Sequence, residues 1–210
     1  MKQAIVLILM LFSIITWGCD DNYFSDGGIL DPNVGNLNLS TLEYLEKHPE
    51  KFDTLARLIR ICGLENEVNR SGNTFFAPHD YSIHNYFRLL YADSPWPVLG
   101  ELPAEVVADI TTHLKNYIIT GQQIVREELS PAYSYSTTLG GKKARFNLIR
   151  EDYLDNVNKG ASYIIFSVDV NQNPERSEVY QSAQVRVSNL RSTNGVVHEL
   201  IPDSHIFGFK

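Results

Sequence analysis

Two short segments, about 120 residues apart, constrain the fold of this chain more than any other feature. The first is Asn73–Asp80, and the second is Asn194–Asp203. In the first, the β-favouring run Thr74–Phe76 is followed by Ala77 and Pro78. Proline lacks a backbone N–H group and biases the residue before it away from helix, so a strand is predicted to end there.

The second segment is predicted to form a hairpin turn followed by a strand. Asn194-Gly195 is the strongest short-range hairpin signal, and we expect positive φ angles at this turn. Val196-Val197 then begins a strand. In order and spacing, the two segments resemble the signature blocks of the fasciclin domain. The motif residues are Phe76, Ala77, Pro78, Asn194, Gly195 and His198.

The order of the predicted elements indicates an α+β domain. Helical periodicity dominates before Gly121, beginning with a capping-box pattern at Ser40 and Glu43, and strand-like runs dominate after it. The resemblance covers residues 40–209. It implies a fasciclin-like wedge of two short β-sheets with helices packed along one side. The expected core residues are Phe75, Phe76, Ile164, Phe166, Val168 and Val196.

The N-terminus is predicted to be a targeting segment. Lys2 precedes an almost unbroken apolar run from Ala4 to Trp17, which is short for a membrane span of about 20 residues. Residues 1–18 are therefore interpreted as a signal peptide. The ending Thr16-Trp17-Gly18-Cys19 resembles the lipobox of bacterial lipoproteins, which implies a lipid on Cys19. In the alternative, Cys19 is an incidental thiol after an uncleaved anchor helix.

Residues 19–39 are predicted to be a lipidated flexible tether, because they are rich in Gly, Asn and Asp. Residues 40–210 form the predicted domain. The acidic pair Asp20-Asp21 after Cys19 resembles the export signal of some surface lipoproteins; the alternative is a solvated linker, and both can hold. We expect an exported protein, lipid-anchored to the outer membrane and surface-exposed.

Charge and cysteine content exclude several classes of function. The net charge of −7 argues against a nucleic-acid partner, since phosphate binding requires clustered basic residues. The only dense basic cluster is Lys142, Lys143 and Arg145, which is predicted to line a solvated hairpin edge. With Cys19 lipidated, Cys62 has no disulfide partner and is expected to be a small buried side chain.

No arrangement of residues predicts catalysis, a metal site or a cofactor. There is no G-x-S-x-G motif and no complete phosphate-binding loop. His79, Asp80 and His84 lack the spacing of a zinc site, and Asp80 is interpreted as a turn or helix cap. In the fasciclin resemblance a Tyr-His pair falls at Asn116-Tyr117, so that histidine is absent. His198 is interpreted as structural, donating a hydrogen bond near the sheet.

The expected function is therefore non-enzymatic. The resemblance implies cell-surface adhesion or capture of a protein, matrix or glycan ligand. The alternative is an accessory lipoprotein of an outer-membrane glycan or nutrient uptake complex, with a transporter as partner. The expected ligand surface consists of aromatic residues in Pro- and Ser-rich loops, unless these rings pack over the helices. They are Tyr91, Trp96, Tyr133 and Tyr135.

Overall fold

A computed structural model describes residues 35–210, except 93, 155, 156, 158, 172 and 174. The predicted signal peptide, Cys19 and the tether up to residue 34 lie outside the described residues. The last residues of the predicted tether are hydrogen-bonded: Leu37 N–H donates to Arg191 O (2.9 Å), and Arg191 N–H donates to Gly35 O (2.7 Å). Gly35 and Leu37, which the sequence places in the tether, are thus both paired with Arg191.

The described residues form five α-helices and seven β-strands. The helices are α1 (Thr41–Glu46), α2 (Pro49–Ile61), α3 (Glu65–Val68), α4 (Asp80–Leu90) and α5 (Ala104–Lys115). The strands are β1 (Asn73–Ala77), β2 (Ile118–Ile119), β3 (Ser134–Thr137), β4 (Lys143–Arg150), β5 (Ser162–Asp169), β6 (Tyr180–Arg191) and β7 (Gly195–Leu200). Short 3₁₀ turns lie at Leu99–Glu101 and Arg126–Glu128.

The ends of the first helices follow the signals in the sequence. The Ser40 hydroxyl accepts from the N–H of Glu43 (3.3 Å), and the Glu43 carboxylate accepts from the N–H of Ser40 (2.7 Å), which confirms the capping box. Pro49 begins α2, and Gly63 follows its end at φ +65°. Within α2 the backbone at Phe52 is not helical, with φ −135° and ψ 15°. The second part of α2 therefore has its own N-terminus after this kink.

The seven strands form a single sheet in the order β2-β1-β7-β6-β5-β4-β3. At its ends, Ile119 bridges to Thr138, and Leu139 N–H donates to Ile118 O (2.8 Å), so the sheet is barrel-like. The α+β class is confirmed, but the wedge of two short sheets is not. The reason is that β6, twelve residues long and irregularly paired with β7, continues from one half of the sheet to the other.

The core lies between this sheet and a layer of helices. Helix α2 packs against α1, α4 and α5. All six residues predicted to be in the core are buried, with at most 2% of each exposed. Phe76 stacks on Phe166 with ring centroids 3.9 Å apart, which joins β1 to the distant strand β5.

Candidate ligand-binding site

The two signature segments are direct neighbours in the sheet. Strands β1 and β7 pair in parallel, with Asn73 opposite Gly195 and Phe76 opposite His198. After Ala77 the strand ends at Pro78, as predicted, and α4 begins at Asp80. The positions just beyond the ends of these two strands therefore lie together beside the start of α4.

The predicted geometry of the Asn194-Gly195 turn is wrong. Ser192 N–H donates to Gly195 O (2.9 Å), so the central residues of the turn are Thr193 and Asn194. Neither Asn194 nor Gly195 is among the described residues with positive φ. Gly195 is required for a different reason: a Cβ atom there would come within 2.3 Å of the Asn73 carbonyl oxygen.

Asn194 connects the turn to the helices. Its Oδ1 accepts from the N–H of Thr41 (2.9 Å) and from the Ser192 hydroxyl (3.1 Å). Its backbone oxygen accepts from Gly72 N–H (2.8 Å). The Asn194 side chain thus satisfies the first turn of α1, and its backbone oxygen holds Gly72 just before β1, so Asn194 is a structural residue. The sequence pattern identified the residue but not these distant partners.

His198 is fully buried between β1, β6 and the segment before Arg126. Its Nε2 donates to Ile124 O (2.9 Å), and its Nδ1 accepts from Asn189 N–H (3.3 Å). The ring also stacks on Phe76. Burial lowers the pKa of His198 to about 4, so the ring is neutral near pH 7. Its hydrogen bonds give His198 a structural role in the sheet.

A buried charged cluster, which the sequence did not reveal, surrounds Glu199 at the end of β7. This side chain is only 1% exposed. It accepts a short hydrogen bond from the Tyr44 hydroxyl and one from Lys51 Nζ at 3.2 Å. His79 Nε2 lies 3.7 Å away, which is too long for a hydrogen bond. No local signal could have found the cluster, because its members come from four separate segments.

The cluster keeps Glu199 ionised. Burial alone would raise the pKa of Glu199, but the neighbouring His79, the Tyr44 hydroxyl and the Lys51 charge together lower it to about 2. The same contact raises the pKa of Tyr44, first through burial and then through the carboxylate. Because these groups join α1, α2 and the residue before α4 to the sheet, the cluster holds the helical layer in place.

Two of the three residues considered as metal ligands, Asp80 and His84, have other partners. The Asp80 carboxylate accepts from the N–H groups of Thr54 and Leu55, both at 2.9 Å. His84 Nε2 lies 3.0 Å from the Thr54 hydroxyl. Within the described ranges, no group of three or more His, Cys, Asp or Glu side chains is arranged to hold a metal ion. Asp80 is a helix cap, as expected, but for α2 rather than for its own helix.

Tyr91 and Trp96 belong to the helical side of the domain. Tyr91 follows α4, is half-buried and packs towards Phe87. The Trp96 ring stacks on the rings of His84 and Phe87, each 5.8 Å away, yet 37% of Trp96 is exposed. It borders a groove of about 290 Å³, called here the Trp96 groove. Its lining residues are Thr54, Arg57, His84, Phe87, Trp96, Pro97, Val98 and Leu99.

Tyr133 and Tyr135 form a second exposed group. Their ring centroids are 6.4 Å apart, and 48% of Tyr133 and 61% of Tyr135 are exposed. The prediction that both lie in a loop is wrong for Tyr135, which lies in β3 opposite Arg145. Among the described residues, no ring contact connects these tyrosines to Tyr91 or Trp96. The four residues therefore form two surfaces.

The cluster Lys142, Lys143 and Arg145 does not behave as one solvated edge. Lys142 and Lys143 lie at the turn and start of β4, as expected. Arg145 lies further along β4, a strand with a neighbour on each side, and its guanidinium carbon is about 4 Å from the ring centroids of both Tyr133 and Tyr180. Sequence reasoning missed this contact because Tyr180 is 35 residues away from Arg145.

Fold and site together define an α+β domain with exposed aromatic surfaces on a tightly bonded scaffold. The fasciclin domain model matches residues 50–200, so this chain belongs to the fasciclin domain family. Fasciclin domains are generally non-enzymatic adhesion or ligand-binding modules.

One similar solved structure is a FAS1 domain pair from the insect cell adhesion molecule fasciclin I. It is 14% identical, with a TM-score of 0.42 over 81% of this chain and 46% of that chain. This chain therefore spans less than half the length of that protein chain. A comparison with curated proteins found no match. None of the helices in residues 35–210 that the structure describes has the length and apolarity needed to cross a membrane.

Proposed function

We propose that this chain is a non-catalytic binding protein that captures a protein or glycan ligand at the cell surface. The observation that carries the proposal is the Trp96 groove. Large aromatic side chains held rigidly at a surface supply most of the binding energy in many interfaces. Trp96 meets this description because one side of its ring is fixed on His84 and Phe87 while a third of the residue is exposed.

The surroundings of Trp96 suit a ligand with both apolar and polar groups. Val98 is 64% exposed beside it, and Pro97 adds a rigid apolar wall. Thr54 and Arg57 of α2 also line the groove and bring a hydroxyl and a positive charge to it. A small number of polar groups around an apolar surface is the usual composition of a recognition site.

In this proposal the domain is displayed outside the cell by a lipid on Cys19. The apolar run that ends before Cys19 supports export, and Asp20-Asp21 supports transfer to the outer face of the outer membrane. The same acidic pair is the reason to retain the second candidate function, an accessory lipoprotein of an outer-membrane uptake complex.

Capture from native membranes and surrounding matrix tests the proposal. Full-length wild-type protein should retain a ligand, and Trp96→Ala should retain much less of it. The matched control is Tyr81→Ala, which removes a 50% exposed aromatic ring from α4 outside the groove. Capture by Trp96→Ala at the wild-type level would contradict the proposal. A transporter protein among the captured material would favour the uptake-complex function over adhesion.

The thermal midpoint of each variant separates recognition from packing. Trp96→Ala loses a ring that covers Phe87, so some destabilisation is expected. If the variant is mostly unfolded at the capture temperature, the test moves to Val98→Asp, because Val98 lines the groove and is mostly exposed. That variant should remain folded and still lose the ligand.

A further inference from the structure

Arg145 projects from the outer face of the sheet. Its neighbours in β4, Ala144 and Phe146, are buried in the core, and side chains alternate between the two faces of a strand. In the register of the sheet, Arg145 lies opposite Tyr135 on β3 and opposite Ser167 on β5. The outer face around it is therefore built from three hydrogen-bonded strands.

Two tyrosine rings hold the Arg145 guanidinium. Its central carbon is 4.1 Å from the ring centroid of Tyr133 and 4.0 Å from that of Tyr180. Arginine stacks on aromatic faces through its planar group, which leaves the N–H groups along its edge for other partners. The position of this guanidinium is thus fixed before any ligand binds. We call Tyr133, Tyr135, Arg145 and Tyr180 the tyrosine–arginine face.

The positive charge of Arg145 is not compensated within the described part of the chain. No described carboxylate forms an ion pair with it, and its Nε is buried without a hydrogen-bond partner, so a ligand can reach only the two terminal nitrogens. The acid beside Tyr180, Glu178, is already engaged by Lys143 and by the Tyr180 hydroxyl at 3.0 Å. An oriented guanidinium without an anion matches a planar carboxylate, which it can bind through two parallel hydrogen bonds.

An apolar surface lies next to this charge. Tyr135 is mostly exposed and sits directly opposite Arg145, and side chains at such paired positions are about 5 Å apart. A ligand that fits must therefore carry an anionic group and a flat apolar face within about the width of one sugar ring. The carboxylate and the C–H face of a uronic acid have this arrangement.

We propose that the tyrosine–arginine face binds a uronic-acid residue of an acidic polysaccharide. The carboxylate is bound by Arg145, and the C–H face of the sugar packs on Tyr135. This inference rests on the proposed non-catalytic binding function and adds a second surface with a defined ligand class. An acidic peptide fits less well, because an extended peptide that adds to a sheet pairs with the backbone of an exposed edge strand. Arg145 lies on β4, whose backbone pairs with β3 and β5.

Calorimetric titration of the full-length protein in detergent tests this inference. The probes are polygalacturonate, hyaluronate, methyl-esterified polygalacturonate and polyglutamate. We expect binding of at least one of the two uronic-acid polymers. If polygalacturonate binds, esterification should weaken it by about tenfold or more, because the charged hydrogen bonds are lost. Polyglutamate should not bind at the same concentration, since it lacks a sugar face.

The variants locate the site. Arg145→Gln should weaken uronate binding by about tenfold, and Arg145→Lys should not restore it, because an ammonium group lacks the planar fork. Tyr135→Ala should also weaken binding, and this variant should remain folded because Tyr135 is mostly exposed. The matched control is Arg150→Gln, which removes the same charge from the exposed end of the same strand and should leave affinity unchanged.

Four results would overturn the inference: no binding of either uronic-acid polymer, equal binding of the esterified polymer, equal binding of polyglutamate, or wild-type affinity in Arg145→Gln. If Arg145→Gln fails to fold, Tyr135→Ala decides, and undiminished affinity in that variant rejects the site. If uronate binding fails but capture that depends on Trp96 is still observed, only this inference is rejected. Failure of both experiments rejects the proposed function as well.

Discussion

Gly195 lies against the backbone of Asn73 so closely that a Cβ atom on it would stand 2.3 Å from the Asn73 carbonyl oxygen. The two residues are register partners in the parallel pair β1–β7, which joins the two signature segments. The pairing of these strands therefore depends on a residue without a side chain. The same contact explains why the segment needs glycine although its φ is not positive.

Gly195→Ala is expected to destabilise the domain by about 1–3 kcal/mol, because the added methyl group must separate two backbones. Urea unfolding measures the difference. The control is Gly100→Ala, where a Cβ atom would meet nothing within 4 Å and the expected change is under about 0.5 kcal/mol. Equal stabilities of Gly195→Ala and the wild type would mean that the strands approach each other less closely than described.

Local sequence signals predicted the elements but not the long-range contacts. Thr74–Phe76 and Val196-Val197 were predicted as strands because β-favouring runs followed by turns are local patterns. The register of the Asn194 turn was missed because it depends on Thr41, more than 150 residues away. The contacts of Arg145 with the Tyr133 and Tyr180 rings depend in the same way on residues from two other segments.

The sheet architecture shows the same limit. An alternation of apolar residues identifies which face of β6 is buried, but not that one long strand continues between the two halves of the sheet. The charged cluster is a clearer case. Glu199 follows His198 in an ordinary strand pattern, and its burial is acceptable only because Lys51 and Tyr44 reach it from the helices.

Glu199→Gln should destabilise the domain by about 2 kcal/mol, because it leaves Lys51 without its buried partner. The control Glu46→Gln removes an exposed partner of Arg60 and should cost less than about 1 kcal/mol.

Acid titration gives a second check of the role of Glu199. The folded-state pKa of Glu199 is about 2 against an ordinary value of 4.5, so its contribution is complete above pH 4.5 and is lost as the pH falls towards 2. Glu199→Gln should lack this part of the acid transition.

His198 is expected to make the domain less stable between pH 6.5 and pH 4. In this range the unfolded chain binds a proton on the ring, whereas burial keeps the folded ring neutral down to a pKa of about 4. The loss on acidification is at most about 3 kcal/mol from this residue. His205, whose pKa burial also lowers to about 4, adds to it. The free energy of unfolding of His198→Gln, measured in urea, should change less with pH across this range than that of the wild type. An identical pH dependence would contradict the assignment.

Cys19 is predicted to carry the lipid. Intact-mass analysis of protein extracted from membranes should show cleavage before Cys19 and added acyl mass, since stable anchoring requires more than one acyl chain. Cys19→Ser should lose that mass and membrane retention. Cys62→Ser is the control and should keep both, because Cys62 is half-buried in the folded domain. A chain that still begins at Met1 would contradict the prediction.

Asp80 is predicted to hold the second part of α2 by capping it from another helix. The backbone at Phe52 is not helical, and the Asp80 carboxylate accepts from the N–H groups of Thr54 and Leu55, which follow it in the first turn of the second part of α2. Asp80→Ala should cost about 1–2 kcal/mol and speed hydrogen exchange at those two amides. Burial raises the pKa of Asp80, so the ionised form is costly, and Asp80→Asn should be milder than the alanine variant. Unchanged exchange at Thr54 and Leu55 in Asp80→Ala would show that α2 is held by its packing alone.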